Sequence, residues 1–182
     1  MKQALTTSVA LAVAVLVLAA SAIAGTVTTT TTVTGAGSLS LSHGATTSIS
    51  STLDGTDQNV TYTVPLTMVD ARGTGVGWNL TLTSTTFTTG AKSLATNASS
   101  ITGITSACNG GGTCTSATNA ITYPLTVPAA ATAPAAVKIF NASAATGLGR
   151  FTITPTVSVA IPGNSFSGTY TSTLTVAAVS GP

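Results

Sequence analysis

Val60-Thr61-Tyr62-Thr63-Val64-Pro65-Leu66-Thr67-Met68 runs through Val69-Asp70-Ala71-Arg72-Gly73-Thr74-Gly75-Val76-Gly77 into Trp78-Asn79-Leu80-Thr81-Leu82-Thr83, and the stretch continues to Phe87. In its first part Val60, Tyr62, Val64, Leu66 and Met68 occupy alternate positions, with Thr61, Thr63 and Thr67 between them. That period of two belongs to a β-strand with one face in a core and the other in water. Three glycines, Gly73, Gly75 and Gly77, then permit backbone angles that other residues avoid, so residues 69–77 read as a turn. Trp78, Leu80 and Leu82 alternate again with Asn79, Thr81 and Thr83, which predicts a second strand of the same kind. The tryptophan that opens it is the chain's only one.

Upstream, Lys2 is the sole charge before Asp54, and residues 9–20 are apolar throughout. Ala22-Ile23-Ala24 follows the small-x-small pattern of a secretory cleavage site. The apolar run is short for a membrane span, which takes about 20 residues. Residues 1–24 are therefore expected to be a secretory signal, leaving no stable membrane span after cleavage. Residues 25–37 form a Thr-rich arm. Within it residues 26–34 are almost pure Thr and Val, a β-branched composition that disfavours helix. Residues 38–182 are expected to form one β domain.

Hydrophobic residues make up 43% of the chain, so composition does not predict disorder. Charged residues are only 4%, where a soluble domain carries about 25%. Beyond the signal the bases are Arg72, Lys92, Lys138 and Arg150, and the acids are Asp54, Asp57 and Asp70. Such a surface cannot supply the row of cations that neutralises a phosphate backbone, which argues against nucleic acid as a partner. Serine and threonine take the place of charges. Four Asn-x-Ser/Thr triplets, at Asn59, Asn79, Asn97 and Asn141, are formal glycan acceptors, although a chain this rich in Ser and Thr produces them readily by chance.

Elsewhere the chain reads as strands and loops. Leu39 and Leu41 alternate with serines, and Ile49 and Leu53 lead into an Asp54-Gly55 turn. Small residues after Phe87, up to about residue 104, suggest loops around one short strand. Ile121, Tyr123, Leu125 and Val127 alternate, with Pro124 pointing to a sheet edge or bulge. Residues 128–134, rich in Ala and Pro, read as a connection. Phe151, Ile153, Val157, Val159 and Ile161 mark one further strand face, and Tyr170, Leu174 and Val176 the last. Many strands separated by turn signals predict an all-β fold, a sandwich or a barrel; the expectation adopted is an antiparallel, Greek-key-like β-sandwich.

Cys108 and Cys114 enclose Asn109-Gly110-Gly111-Gly112-Thr113. In an exported chain the pair is expected to close a short disulfide loop. Neither clustered acids nor more than one histidine accompany it, so the sequence calls for no metal and no cofactor. Asp70 and Arg72 lie two apart beside glycines and are expected to pin the turn, together with Gly73 and Gly77. Glycosidase chemistry uses two opposed carboxylates, and the chain holds no glutamate. Lone His43 has no Gly-x-Ser-x-Gly elbow to serve. The expectation is a protein that is not an enzyme.

The run from Val69 to Thr81 resembles the first signature of the WxL family of Gram-positive cell-wall proteins: an Asp-x-Arg-Gly stretch, a Gly-Trp, then Trp-x-Leu. Tyr170-Thr171-Ser172-Thr173-Leu174-Thr175-Val176-Ala177-Ala178 resembles the second, with Val176 where the family has Trp and Ala178 where it has Leu. The resemblance implies an exported β-rich protein held non-covalently at the peptidoglycan surface, and makes Trp78, Asn79 and Leu80 candidate binding residues. Trp78 shares a strand face with Leu80 and Leu82, which fits a core position, whereas the functional alternative is an aromatic platform for sugar rings. A second expectation comes from the arm and the scarcity of charge. Uncharged sheet edges are templates for strand addition, so Val27 and Val33 could insert into another copy of the chain and build a filament or surface layer.

Overall fold

The computed structural model describes residues 31–34, 37–44 and 48–182. The expected signal, Val27 and most of the arm lie outside the described residues. From Val33 onward the chain forms one unit, in which Val33 is 90% exposed and takes part in no strand. Among the described residues no helix is long and apolar enough to cross a membrane.

The fold is all-β. Its strands are β1 (Leu39–His43), β2 (Gln58–Thr63), β3 (Leu66–Asp70), β4 (Trp78–Thr85), β5 (Thr88–Thr89), β6 (Lys92–Ser93), β7 (Ser99–Cys108), β8 (Leu125–Thr126), β9 (Ala129–Ala130), β10 (Val137–Ala142), β11 (Gly149–Ile161) and β12 (Leu174–Ser180). The first sheet is built on β11. Along one edge of β11 lie β3 and then β2; along the other lies β7, followed by β8, while β1 borders β3. The second sheet has β4 at its centre between β10 and β12. Pairing is antiparallel except for β9, which runs parallel to the end of β4. A two-stranded hairpin, β5–β6, completes the set.

Two inner faces meet in a single core, so the architecture is a β-sandwich. β11 contributes Phe151, Ile153, Val157 and Val159, all buried, and alternates them with half-buried Thr152, Thr154, Thr156 and Ser158. Opposite stand Trp78, Leu80 and Leu82 from β4, flanked by Phe140 and Ala142 from β10.

The structure departs from the sequence reading in five places. The run from Val60 to Met68 is not one strand. Pro65 has no N–H to give to a ladder, and the chain breaks into β2 and β3 there, with the Val64 N–H donating to the Pro155 carbonyl (3.0 Å). β4 is not half-exposed: Asn79 and Thr83 on its other face are also buried. Of the Ile121–Val127 alternation only Leu125–Thr126 pairs, on the edge beside β7, and the bond preceding Pro124 is cis. The small-residue stretch after Phe87, expected to hold one short strand, holds β5, β6 and the first part of β7, which is ten residues long and pairs with most of β11, while the connection at 128–134 contains β9.

Candidate functional site

The signature segment lies where β3 leaves the first sheet and the chain crosses to the second. Asp70, the last residue of β3, has a fully buried side chain. Its carboxylate accepts from both Nε (2.9 Å) and Nη2 (2.9 Å) of Arg72 and from the Arg72 backbone N–H (3.1 Å). This two-point geometry is the strong form of the carboxylate–guanidinium pair. The guanidinium reaches further, with Nη2 donating to the Gly77 carbonyl (2.8 Å) and Nη1 to Ser180 Oγ (2.5 Å). One arginine thus ties together the end of β3, the glycine turn and the end of β12. Hydrogen bonding from Arg72 holds the Asp70 carboxyl below its usual range, against the opposing pull of burial. The same bonds raise Arg72.

Gly73 sits exposed in the turn at φ +69°. Gly77 is buried at φ +75°, and a Cβ there would collide with the Ala142 carbonyl oxygen. Only glycine lets β4 enter the sheet so close to β10.

Trp78 has no exposed surface. Its ring stacks on Phe140 (centroids 5.7 Å apart) and leans on Phe151 (6.2 Å), joining the two sheets. The indole N–H donates to the Gly147 carbonyl (2.8 Å). Gly147 must itself be glycine, since a Cβ would stand 2.6 Å from Trp78 Nε1. Leu80 is equally buried, and Asn79 on the opposite face donates from Nδ2 to the Gly181 carbonyl (2.8 Å). The candidate binding residues Trp78, Asn79 and Leu80 therefore all lie inside the protein, where no ring face is available to a sugar. The positions matching the second signature, Val176 and Ala178, lie on β12 directly across from Leu82 and Leu80 and are half-buried.

Cys108 and Cys114 form a disulfide, with Cα atoms 6.0 Å apart. Beyond it the chain runs beside the approach to β11, where Thr115 and Leu148 pair through their backbones (2.9 Å). Of the four triplets, Asn79 and Asn141 are buried, while Asn59 and Asn97 are exposed.

The acids do not converge. Asp57 accepts from the Gly163 N–H (2.8 Å) beyond the far end of β11, and Asp54 closes its own turn through Thr56. Asp70 faces Gly149 at the other end of that strand. His43 is exposed at the end of β1, and the described residues contain no group of three or more metal-ligating side chains. Phe140, Gly147 and Ser180, which complete the signature's surroundings, were not legible as site residues. The alternation of Val137 and Ile139 before Phe140 was the one available signal.

In comparisons with known proteins, no curated protein and no solved structure matched the chain. A family model described as a WxL domain, surface cell wall-binding, matches residues 40–177. That span takes in every strand from β2 to β11 and most of β1 and β12, with the signature segment and its degenerate partner as far as Ala177. The chain belongs to the WxL family of surface cell-wall-binding domains, and its place is the cell surface.

Proposed function

We propose that the protein is exported by its N-terminal signal, carries out no catalysis, and attaches non-covalently to peptidoglycan as a folded module. The family match carries this reading, because it covers the sandwich from Ser40 to Ala177. The chemistry of the surface agrees with it. Acids and bases are few, the best-placed acid is occupied by Arg72, and what remains is a neutral, hydroxyl-rich exterior suited to a neutral polymer. Mixed with purified peptidoglycan and centrifuged, the protein is expected in the pellet. Protein that stays in the supernatant at micromolar concentration overturns the reading.

A second reading, self-assembly by strand addition, is favoured by β12. It borders only β4 in its sheet, is seven residues long, and has neither charge nor proline on it. The arm around Val27 and Val33 of another copy is the natural donor. Electron microscopy of protein shed from cells without heating distinguishes the two: filaments support assembly, and dispersed particles exclude it.

A further inference from the structure

The end of the sandwich remote from Trp78 holds an open groove of about 550 Å³. Trp78 leans on Phe151 near the start of β11, whereas the groove takes Val159 and Ile161 from its end. Ten residue steps along that strand separate the two places, roughly 30 Å. The floor is apolar, made by Val159 and Leu94, and the rim carries Phe166 and Tyr170. Phe166 is 59% exposed. Rings are seldom left in water without a use when apolar neighbours surround them.

The rim is an ordered structure. Its loop, residues 162–173, is joined to the β5–β6 hairpin by paired backbone hydrogen bonds between Thr88 and Thr171 (3.0 and 2.9 Å). Gly168 packs so closely on Thr89 that a Cβ would lie 2.8 Å from the threonine hydroxyl. Tyr170 donates its hydroxyl to the Phe166 carbonyl (3.1 Å). Lys92 places its ammonium 4.0 Å from the centre of the Phe166 ring, a cation–π contact that fixes the ring's position. The ring is thus held before any ligand arrives, which lowers the entropic cost of binding.

Aromatic faces and serine hydroxyls line this groove, and no carboxylate does so among the described residues. Sugar rings offer the complement, with apolar C–H faces for stacking and hydroxyl edges for hydrogen bonds. One cation beside otherwise neutral walls also matches a glycan whose few charges are carboxylates. We propose that this groove, at the opposite end from the signature segment, binds a strand of the wall's amino-sugar polymer, with Phe166 as its stacking platform. The inference rests on the wall-binding reading above. It assigns Trp78 to the fold and the contact with the wall to a surface outside both Trp-x-Leu positions.

The test pairs sedimentation with purified peptidoglycan and NMR titration with a soluble N-acetylglucosamine oligomer. The protein is expected to bind both. Phe166→Ala is expected to weaken both at least tenfold with an otherwise unchanged spectrum, and Phe166→Tyr to restore them. Ser167→Trp, a bulky change on the exposed lining, is expected to block the groove and act like the alanine variant, while Val179→Ala on β12 leaves binding unchanged. If the protein sediments with the wall and Phe166→Ala and Ser167→Trp do so equally well, the groove is not the site and the wall-binding reading survives. If the unaltered protein does not sediment, both fall. If analytical ultracentrifugation instead shows a dimer that Phe166→Ala dissociates, the groove holds a second copy and the glycan proposal is overturned.

Discussion

Trp78 and Asp70 divide the work of the signature between them. Trp78 fills the space between the sheets, and its N–H is satisfied by Gly147, so its removal leaves both a cavity and an unpaired carbonyl. Trp78→Ala is expected to cost about 3–5 kcal/mol, measured by urea denaturation. An unchanged midpoint would mean that the ring does not hold the sheets together. Asp70 acts through charge. Because its folded-state carboxyl titrates below the usual 3.8, it contributes stability that is present in full above that value and is lost as pH falls below it. The melting temperature is therefore expected to drop below pH 3.8. In Asp70→Asn that share of the acid sensitivity disappears. Arg72→Ala leaves a buried carboxylate without its partner and is expected to destabilise the fold by about 3 kcal/mol at neutral pH. The Asp-x-Arg pairing was legible in the sequence because two residues of spacing beside glycine permit little else. The burial of Trp78 was legible only as one of two options, since a strand pattern says that three residues share a face without saying what that face meets.

Among the elements, the best-read strand was β11, where five bulky apolar residues recur on one side. Its partner β7 starts in a stretch whose sequence suggests only one short strand among loops, because Ser, Thr, Gly and Ala carry no strong period, even though Ile101 is fully buried. Long-range pairing with β11 supplied what local pattern did not. Pro65 shows the reverse case, an alternation that continues across a residue unable to join a ladder. The disulfide belongs to this scale as well. It closes a loop at the end of β7, with five residues between its cysteines. By chain-entropy reasoning its removal costs about 2 kcal/mol, low for a disulfide. Reduction is accordingly expected to lower the melting temperature by about 4–8 °C without abolishing the fold, as calorimetry with and without reductant would reveal. Complete unfolding on reduction would contradict this.

For the whole molecule, low charge is the governing property. A formal net charge of +2 over 182 residues gives ionic strength little to screen. Association with the wall is expected to change less than about twofold between 50 and 500 mM salt, measured by the fraction of protein that sediments. A steep loss would assign the binding to a polyanion in the wall preparation and to the scattered lysines and arginines. The same low charge leaves β12 an unguarded edge, so wall attachment and self-assembly compete for explanation on a single physical ground.

Alternation and glycine punctuation determined from the sequence alone that the chain is all-β, and the run from Asp70 to Leu80 carried the resemblance to the WxL family. They also placed the Asp70–Arg72 pair in the turn and the cysteines in a loop, because each of these depends on residues close together in the chain. Tertiary structure alone decided that Trp78 is enclosed by Phe140, Phe151 and Gly147, and that Phe166 is left exposed at the other end. Both outcomes depend on residues distant in sequence that meet only when the two sheets close, and strand periodicity carries no record of which face each sheet will find.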